Sequence, residues 1–396
     1  MRIYRDRSSP IVRRQSWSQN VLETFAADGD AEISTLHRLD HDCPRRRSLL
    51  SHSDSNLISE RKSMMSRDFY SHVLLMLFTF IAGTELIHAG DAQLRVAKNE
   101  TELRAWLENM VWHHRYSMDE IQQVTGLDEF QLQARLEEFK ISDKTRPPRD
   151  EEKLFMLPYP GGRHPRIGFL DGAVEPQRET KLSVFCPWDD HSYVVMDVPE
   201  AIWSNLGLTY LAHTHVTTIW ELQGTPLEQQ EWQHAADGSF QMLRRLPNGI
   251  EFGTTAKAMP DHIAMTMFLK NGTDQQLSDL RVQNCVMLKA ADGFNQQTNE
   301  NKKFFEGYAV ARSDDGTRWI ISGWDPIYRA WGNAPCPCLH SDPRFPDCSP
   351  GETQSLRGWL SFYQGKDIDA ELKRIESTNW RHSAAVANQG LPSVPQ

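Results

Sequence analysis

The sequence predicts an α+β protein, with a small three-helix N-terminal domain followed by a large antiparallel β-sandwich. Three observations carry this. Capping boxes and apolar residues three and four apart mark helices between residues 99 and 140. From about residue 154 to 365, short apolar or alternating runs are separated by turn dipeptides. Helical stretches do not alternate with these runs, so the pattern of a parallel sheet is missing.

Residues 1–63 are rich in Arg, Ser, Asp and His with scattered apolar residues, and they read as disordered. The Arg13-Arg14 pair lies far from any apolar run and reads as a chance pair rather than an export signal. Segment 64–89 has the anatomy of a signal peptide: a short basic region after Met64 and Met65, an apolar run from Val73 to Gly83, and a cleavage region ending near Ala89. That run is short for a membrane span, which needs about 20 apolar residues. Two accounts stand. Either translation starts at Met64 or Met65 and the segment is cleaved, or it is an uncleaved anchor. Both predict a secreted or periplasmic protein that touches a membrane only through 73–89, if that stretch is retained.

Residues 90–143 form the expected helical domain. Asn99 and Glu102 open the first helix, which carries Leu103, Trp106, Leu107, Met110 and Val111. Ser117 and Glu120 open the second, and Gly126 stops it. Asp128 caps the third, with Leu132, Leu136 and Phe139 on its apolar face. The run from Asp119 to Asp128 resembles the turn of helix-turn-helix domains. However, residues 99–140 hold nine acidic and four basic side chains, and the whole chain carries a net charge of -10. Such a surface opposes phosphate binding, so no nucleic-acid partner is expected.

Residues 144–153, around Pro147-Pro148, read as a charged linker. The sandwich is expected over 154–376. Its strands are Arg166–Leu170, Lys181–Phe185, Tyr193–Val198, Leu208–His213, Ile250–Lys257, His262–Leu269, Leu280–Leu288, Arg318–Gly323 and Ser355–Tyr363. Residues 377–396 read as a flexible tail. Asn99 and Asn271 each begin a glycosylation sequon but read as a helix cap and a turn.

The chemistry suggested by the sequence centres on Gly207 to Gly224. His213 and His215 are two apart in a strand-like run, so both imidazoles share one face. Trp220 and Glu221 follow. The spacing resembles the first metal-binding motif of cupins, with the acidic residue one or two positions late. The second cupin motif has no counterpart, since Pro350-Gly351-Glu352 carries no His. The resemblance implies a divalent metal on His213, His215 and Glu221. Both rings are expected to face a concave site near Trp188, Asp189, Asp190, Trp324 or Asp325.

The aromatic and planar polar groups near strand ends suit a polyhydroxylated ligand. The large sandwich and its His-bearing strand are loosely similar to galactose-mutarotase-like domains, which implies acid–base work on a sugar. Residues 90–375 also resemble a group of uncharacterised bacterial exported proteins, a resemblance that implies no activity. Of six cysteines, Cys43 lies in the discarded part. Cys338 and Cys348 are expected to bridge, ten residues apart. Cys186 and Cys285 either pair or are buried. A metal site on Cys336, Cys338, His340 and Cys348 is chemically possible. Three readings stay open: an exported protein binding a carbohydrate-like ligand, a cupin-like metalloenzyme, and a structural envelope protein.

Overall fold

The computed structural model describes residues 94, 96–150, 152–161, 179–212, 216–334 and 336–382. Segments 1–63 and 64–89, the strand expected at Arg166–Leu170, His213 and His215, and residues 383–396 lie outside the described residues.

Helix α1 (Glu100–Glu108) begins where the Asn99 side chain accepts from the Glu102 amide, and it runs into a π-helical turn at Asn109–His113. Helix α2 (Met118–Thr125) has a complete capping box from Ser117 and Glu120 and ends at Gly126, whose φ of 73° suits a residue without Cβ. Helix α3 (Glu129–Phe139) is boxed by Asp128 and Gln131. The helices form, but not as a separate domain, which corrects the sequence expectation. They belong to the same compact unit as the sheets, Gly90–Gln396. The local reason is polar as well as apolar. Asn109 Nδ2 donates to the Pro158 carbonyl at 2.9 Å, and His114 Nε2 lies 2.8 Å from Ser183 Oγ.

Fifteen strands follow among the described residues. In order they are β1 (Met156–Pro158), β2 (Lys181–Phe185), β3 (Tyr193–Ser204), β4 (Gly207–Leu211), β5 (Gln233–His234), β6 (Phe240–Arg245), β7 (Glu251–Ala258), β8 (His262–Lys270), β9 (Val282–Met287), β10 (Lys302–Phe305), β11 (Tyr308–Arg312), β12 (Arg318–Asp325), β13 (Ile327–Asn333), β14 (Cys338–Pro343) and β15 (Thr353–Gln364). One turn of helix, α4 (Ile219–Leu222), follows β4, and α5 (Ile368–Ser377) follows β15. A seven-stranded sheet has the order β1-β2-β3-β9-β14-β13, with β4 also paired to β3. An eight-stranded sheet has the order β10-β11-β12-β15-β8-β7-β6-β5. Every named pairing is antiparallel.

The two sheets share one apolar core. Leu182, Val184, Val194, Met196, Val286 and Leu339 enter it from the first sheet, and Met242, Phe252, Met267, Ile320 and Leu360 from the second. Strand side chains alternate between faces, so the intervening residues of the first sheet point away from this core. Those residues are Lys181, Ser183, Asp197, Cys285, Cys338, His340 and Asp342, and all are buried. On the outer face of the second sheet, α5 and Trp380 cover Tyr308, Val310, Trp319, Ile321 and Trp359. Trp380 was expected in the flexible tail and is instead 5% exposed. No helix among the described residues is long and apolar enough to cross a membrane.

Candidate functional site

A cleft of about 700 Å³ opens where α1 meets the edge of the sheets. It is lined by Trp106, Trp112 and His113 from the first helix and its π-helical turn, by Phe155 and Met156 at β1, and by Trp232, His234 and Phe240 around β5 and β6. The π-helical turn and α1 bring Trp106, Asn109, Trp112 and His113 to the cleft together. Trp112 Nε1 donates to the Ser142 carbonyl at 3.0 Å, and Trp232 Nε1 to the Lys181 carbonyl at 3.1 Å. Both indoles are thereby held by their polar edges. The His113 ring lies 4.8 Å from Phe155, and His234 stacks on Phe240 at 4.8 Å and 25°.

The rim is charged. Lys257 Nζ donates to Asp237 at 2.9 Å. Hydrogen bonds from the Ser239 hydroxyl and Lys257 hold the Asp237 carboxyl far below the usual range. Burial, then Arg149 and Arg146, lower His113 to about 4, so the ring is neutral at pH 7. Flat aromatic faces with hydrogen-bonding groups at the rim suit a ring with an apolar face and polar substituents.

A second concentration of chemistry is the outer face of the seven-stranded sheet. Asp342 accepts from Trp331 Nε1 at 2.6 Å, Arg329 Nε at 3.0 Å and the Asn284 amide at 3.1 Å. Burial pushes its carboxyl up to about 6 against the pull of Arg329. Glu200 accepts from Gln283 Nε2 at 2.7 Å, and burial, with the nearby Asp197, raises it to about 8. Lys181 and Asp197, register partners on β2 and β3, pair at 2.9 Å. Cys285, Cys338 and His340 present one donor atom each within 4.8 Å of one another. They are the described residues best placed to hold a metal.

The described residues singled out in the sequence do not meet at one place. Trp188 stacks on Phe294 at 5.6 Å and lies under the Arg318 guanidinium at 5.3 Å. Asp189 accepts the backbone amides of His191 and Ser192, at 2.9 and 2.5 Å, and so shapes its own turn. Asp190 pairs with Arg115 and, at 3.4 Å, with Arg146. Trp324 is in the shared core, six residues along β12 from Arg318, a separation of roughly 20 Å in a strand. Asp325 accepts from Arg381 at 3.1 Å. Glu221 completes the capping box of α4 with Thr218. The core face of β4 carries Tyr210 and Ala212, the latter just past its end.

The expected Cys338–Cys348 bridge is not present, and all five described cysteines are free thiols. The reason is register. Cys338 pairs with Met287, and isolated bridges join Arg344 to Arg281 and Cys348 to Leu277 in the same antiparallel register. The segment expected to be a closing loop is extended chain. Ten residues of it set the two thiols on the order of 30 Å apart. Cys348 Sγ instead donates to the Glu352 carbonyl at 3.3 Å. Cys186 lies in the shared core, whereas Cys285 is on the outer face, so these two are separated by the sheet.

Sequence reading missed the cleft. Its residues come from positions 105 to 258, and no local spacing joins them. The only local sign was a cluster, Trp112-His113-His114, just past the last apolar position of the first helix.

No family model matches the chain, and no curated protein matches it either. Among solved structures, a polysaccharide lyase aligns with a TM-score of 0.32 and 13% identity, over 58% of this chain and 35% of that one. A protein assigned as a kojibiose phosphorylase from the human microbiome aligns with a TM-score of 0.30 and 6% identity, over 55% of this chain and 27% of that one. The Slr1438 protein of Synechocystis aligns with a TM-score of 0.28 and 11% identity, over 48% of this chain and 91% of that one. The alignments span well under half of the first two proteins. At these scores the likenesses say nothing about activity.

Proposed function

We propose that the chain is an exported protein that binds a carbohydrate-like ligand in the cleft between α1 and the sheet edge. The observation that carries this is the cleft lining: Trp106, Trp112, Phe155 and Trp232 around about 700 Å³, with Asp237 and Lys257 at the rim. A sugar ring would stack on an indole, and its hydroxyls would reach the rim groups. Export rests on the signal-like segment 64–89, and N-terminal sequencing of the native protein tests it. Any start before Met64 would remove the cleaved-signal account and leave the uncleaved anchor.

Binding is tested by titrating the full chain with a panel of neutral and acidic oligosaccharides, following tryptophan fluorescence and heat. At least one sugar should bind, and Trp112→Ala should weaken it about tenfold, the worth of one stacked aromatic face. No binding across the panel would overturn the proposal. So would binding that is indifferent to Trp112→Ala.

A further inference from the structure

We propose that Cys285, Cys336, Cys338 and His340 form a buried site for a thiophilic metal ion, zinc in the first instance. It is distinct from the cleft and does not rest on the carbohydrate reading.

The sheet register builds it. Cys338 on β14 lies opposite Met287 on β9, and Leu339 lies opposite Val286. Two residues beyond Cys338 in the same register, His340 comes level with Cys285, and residues two apart share a face. The Cys338 thiol donates to His340 Nε2 at 3.1 Å. The donor atoms of Cys285, Cys338 and His340 all lie within 4.8 Å of one another. Tetrahedral zinc, with bonds of about 2.3 Å to sulfur and 2.0 Å to nitrogen, needs donors about 3.5–3.8 Å apart. Shifts of roughly an ångström in these side chains close the site. Cys336, in the turn before β14, supplies the fourth donor. Its thiol donates to the sulfur of Met287, the residue opposite Cys338 in the ladder, at 3.7 Å.

The imidazole is already aimed. His340 Nδ1 lies 2.9 Å from the Asn284 carbonyl, which can only accept, so Nδ1 carries the proton and Nε2 offers its lone pair to the thiols. Glu200 Oε2, 3.8 Å from Nδ1, flanks the same side. A ring nitrogen tied to a carbonyl or carboxylate is the usual support of a metal-bound histidine. Trp331 stacks on the ring at 3.9 Å and 10°, fixing its plane.

The donor set selects the metal. Three thiols and an imidazole are soft to borderline donors, matched to zinc or copper(I) and poorly matched to magnesium or calcium. All four residues are at most 5% exposed, so the site is closed, as a structural site is. Loading is a proton exchange. Up to three thiol protons leave to solvent as sulfur–metal bonds form, and nothing is oxidised. Three thiolates and Zn²⁺ sum to one negative charge. Lys302 at the start of β10, 6% exposed, supplies a buried cation that would offset it. Its stem packs against Gly332 of β13, the register partner of Leu339, where a Cβ would lie 2.5 Å from it.

The test uses the full chain, purified without chelator after exposure to zinc, and counts metal by mass spectrometry of the elements. About one ion per chain is expected. Cys285→Ser and His340→Ala should each lower occupancy after dialysis at least tenfold, and Cys348→Ser should leave it unchanged. Should the first two variants fail to fold, cobalt(II) added to the unaltered chain must give thiolate-to-cobalt charge-transfer bands. Chelation must also lower the melting temperature, and zinc must restore it. Preferential loading by copper(I) supports the site and assigns the ion. The proposal is overturned by a chain that takes up neither metal. It is equally overturned by full occupancy in His340→Ala, or by a native disulfide between Cys338 and either Cys285 or Cys336.

Discussion

Arg244 on β6 and Glu179, just before β2, are a buried ion pair whose removal has a calculable cost. Their side chains are 3% and 0% exposed and meet at 2.7 Å. Arg244 Nε adds a second bond at 2.8 Å, and the Tyr210 hydroxyl donates to the same carboxylate oxygen at 3.0 Å. The Arg244 Nη2 that makes the 2.7 Å contact also donates to the Glu228 carbonyl at 2.6 Å. Tyr210 belongs to β4 of the seven-stranded sheet and Arg244 to the eight-stranded sheet, so this network joins the two layers. Arg244→Met would leave a carboxylate in the interior without its cation, at a cost of about 3–5 kcal/mol. That is a large share of an ordinary domain's stability, about 5–15 kcal/mol. The double variant Arg244→Met, Glu179→Gln carries no buried charge. It should lie within about 1–2 kcal/mol of the parent, the worth of the hydrogen bonds left imperfect. Urea unfolding followed by tryptophan fluorescence measures all three proteins. A cost below about 1 kcal/mol for Arg244→Met, or a double variant no more stable than the single one, would show that no uncompensated buried charge is left behind.

Three further outcomes follow from the same structure. Gly272→Ala should cost about 1–3 kcal/mol, because its Cβ would lie 2.0 Å from the Gly249 carbonyl oxygen, and an unchanged melting temperature would contradict the close approach of these two turns. Ser117→Ala should cost about 1 kcal/mol by removing the α2 cap, read as a lower urea midpoint at constant slope. His113 has a folded pKa of about 4, lowered by burial and then by Arg149 and Arg146. Its contribution is therefore whole above its free value of about 6.5 and is lost as pH falls through 4. With the half-buried ring discounted for solvent, the loss is about 1–2 kcal/mol, and His113→Gln should flatten stability between those pH values.

What was legible in the sequence was local. The caps at Asn99, Ser117 and Asp128 act over three residues, and each appears where the sequence places it. Asn271 proved to be a turn residue, its Nδ2 donating to the Gln275 and Cys348 carbonyls at 2.7 and 2.8 Å. Strand β2 was legible to the residue, because an alternating run between turns leaves little choice. Strand β3 ran past its expected end at Val198, since Pro199 sits where the ladder with β9 shifts register and no amide is needed. Strand β14 was invisible. Its sequence, Cys338-Leu-His-Ser-Asp-Pro343, reads as polar loop, yet all six residues are buried. Nothing within the segment announces that burial. It comes from β9 and β13 on either side. The same non-locality hid the aromatic cleft.

The buried polar row on the seven-stranded sheet has a cost that bears on both proposals. Lys181, Asp197, Gln283, Asp342 and His340, with the partly buried Glu200, occupy positions where apolar residues would close the same face without desolvating charge. The row is held by specific pairs: Lys181 with Asp197, Gln283 with Glu200, Arg329 and Trp331 with Asp342. Its pairs reach outward in two directions. The Lys181 carbonyl anchors Trp232 of the cleft wall. Asp197 lies beside Cys285 in the sheet, in the row that carries the proposed metal donors. If the row serves stability alone, replacing Asp342 and Arg329 together by Leu and Met should stabilise the chain and leave metal content and sugar binding unchanged. If the row holds working groups in place, the same pair of changes should free the Trp331 indole that stacks on His340 and lower metal occupancy, even where the fold gains stability.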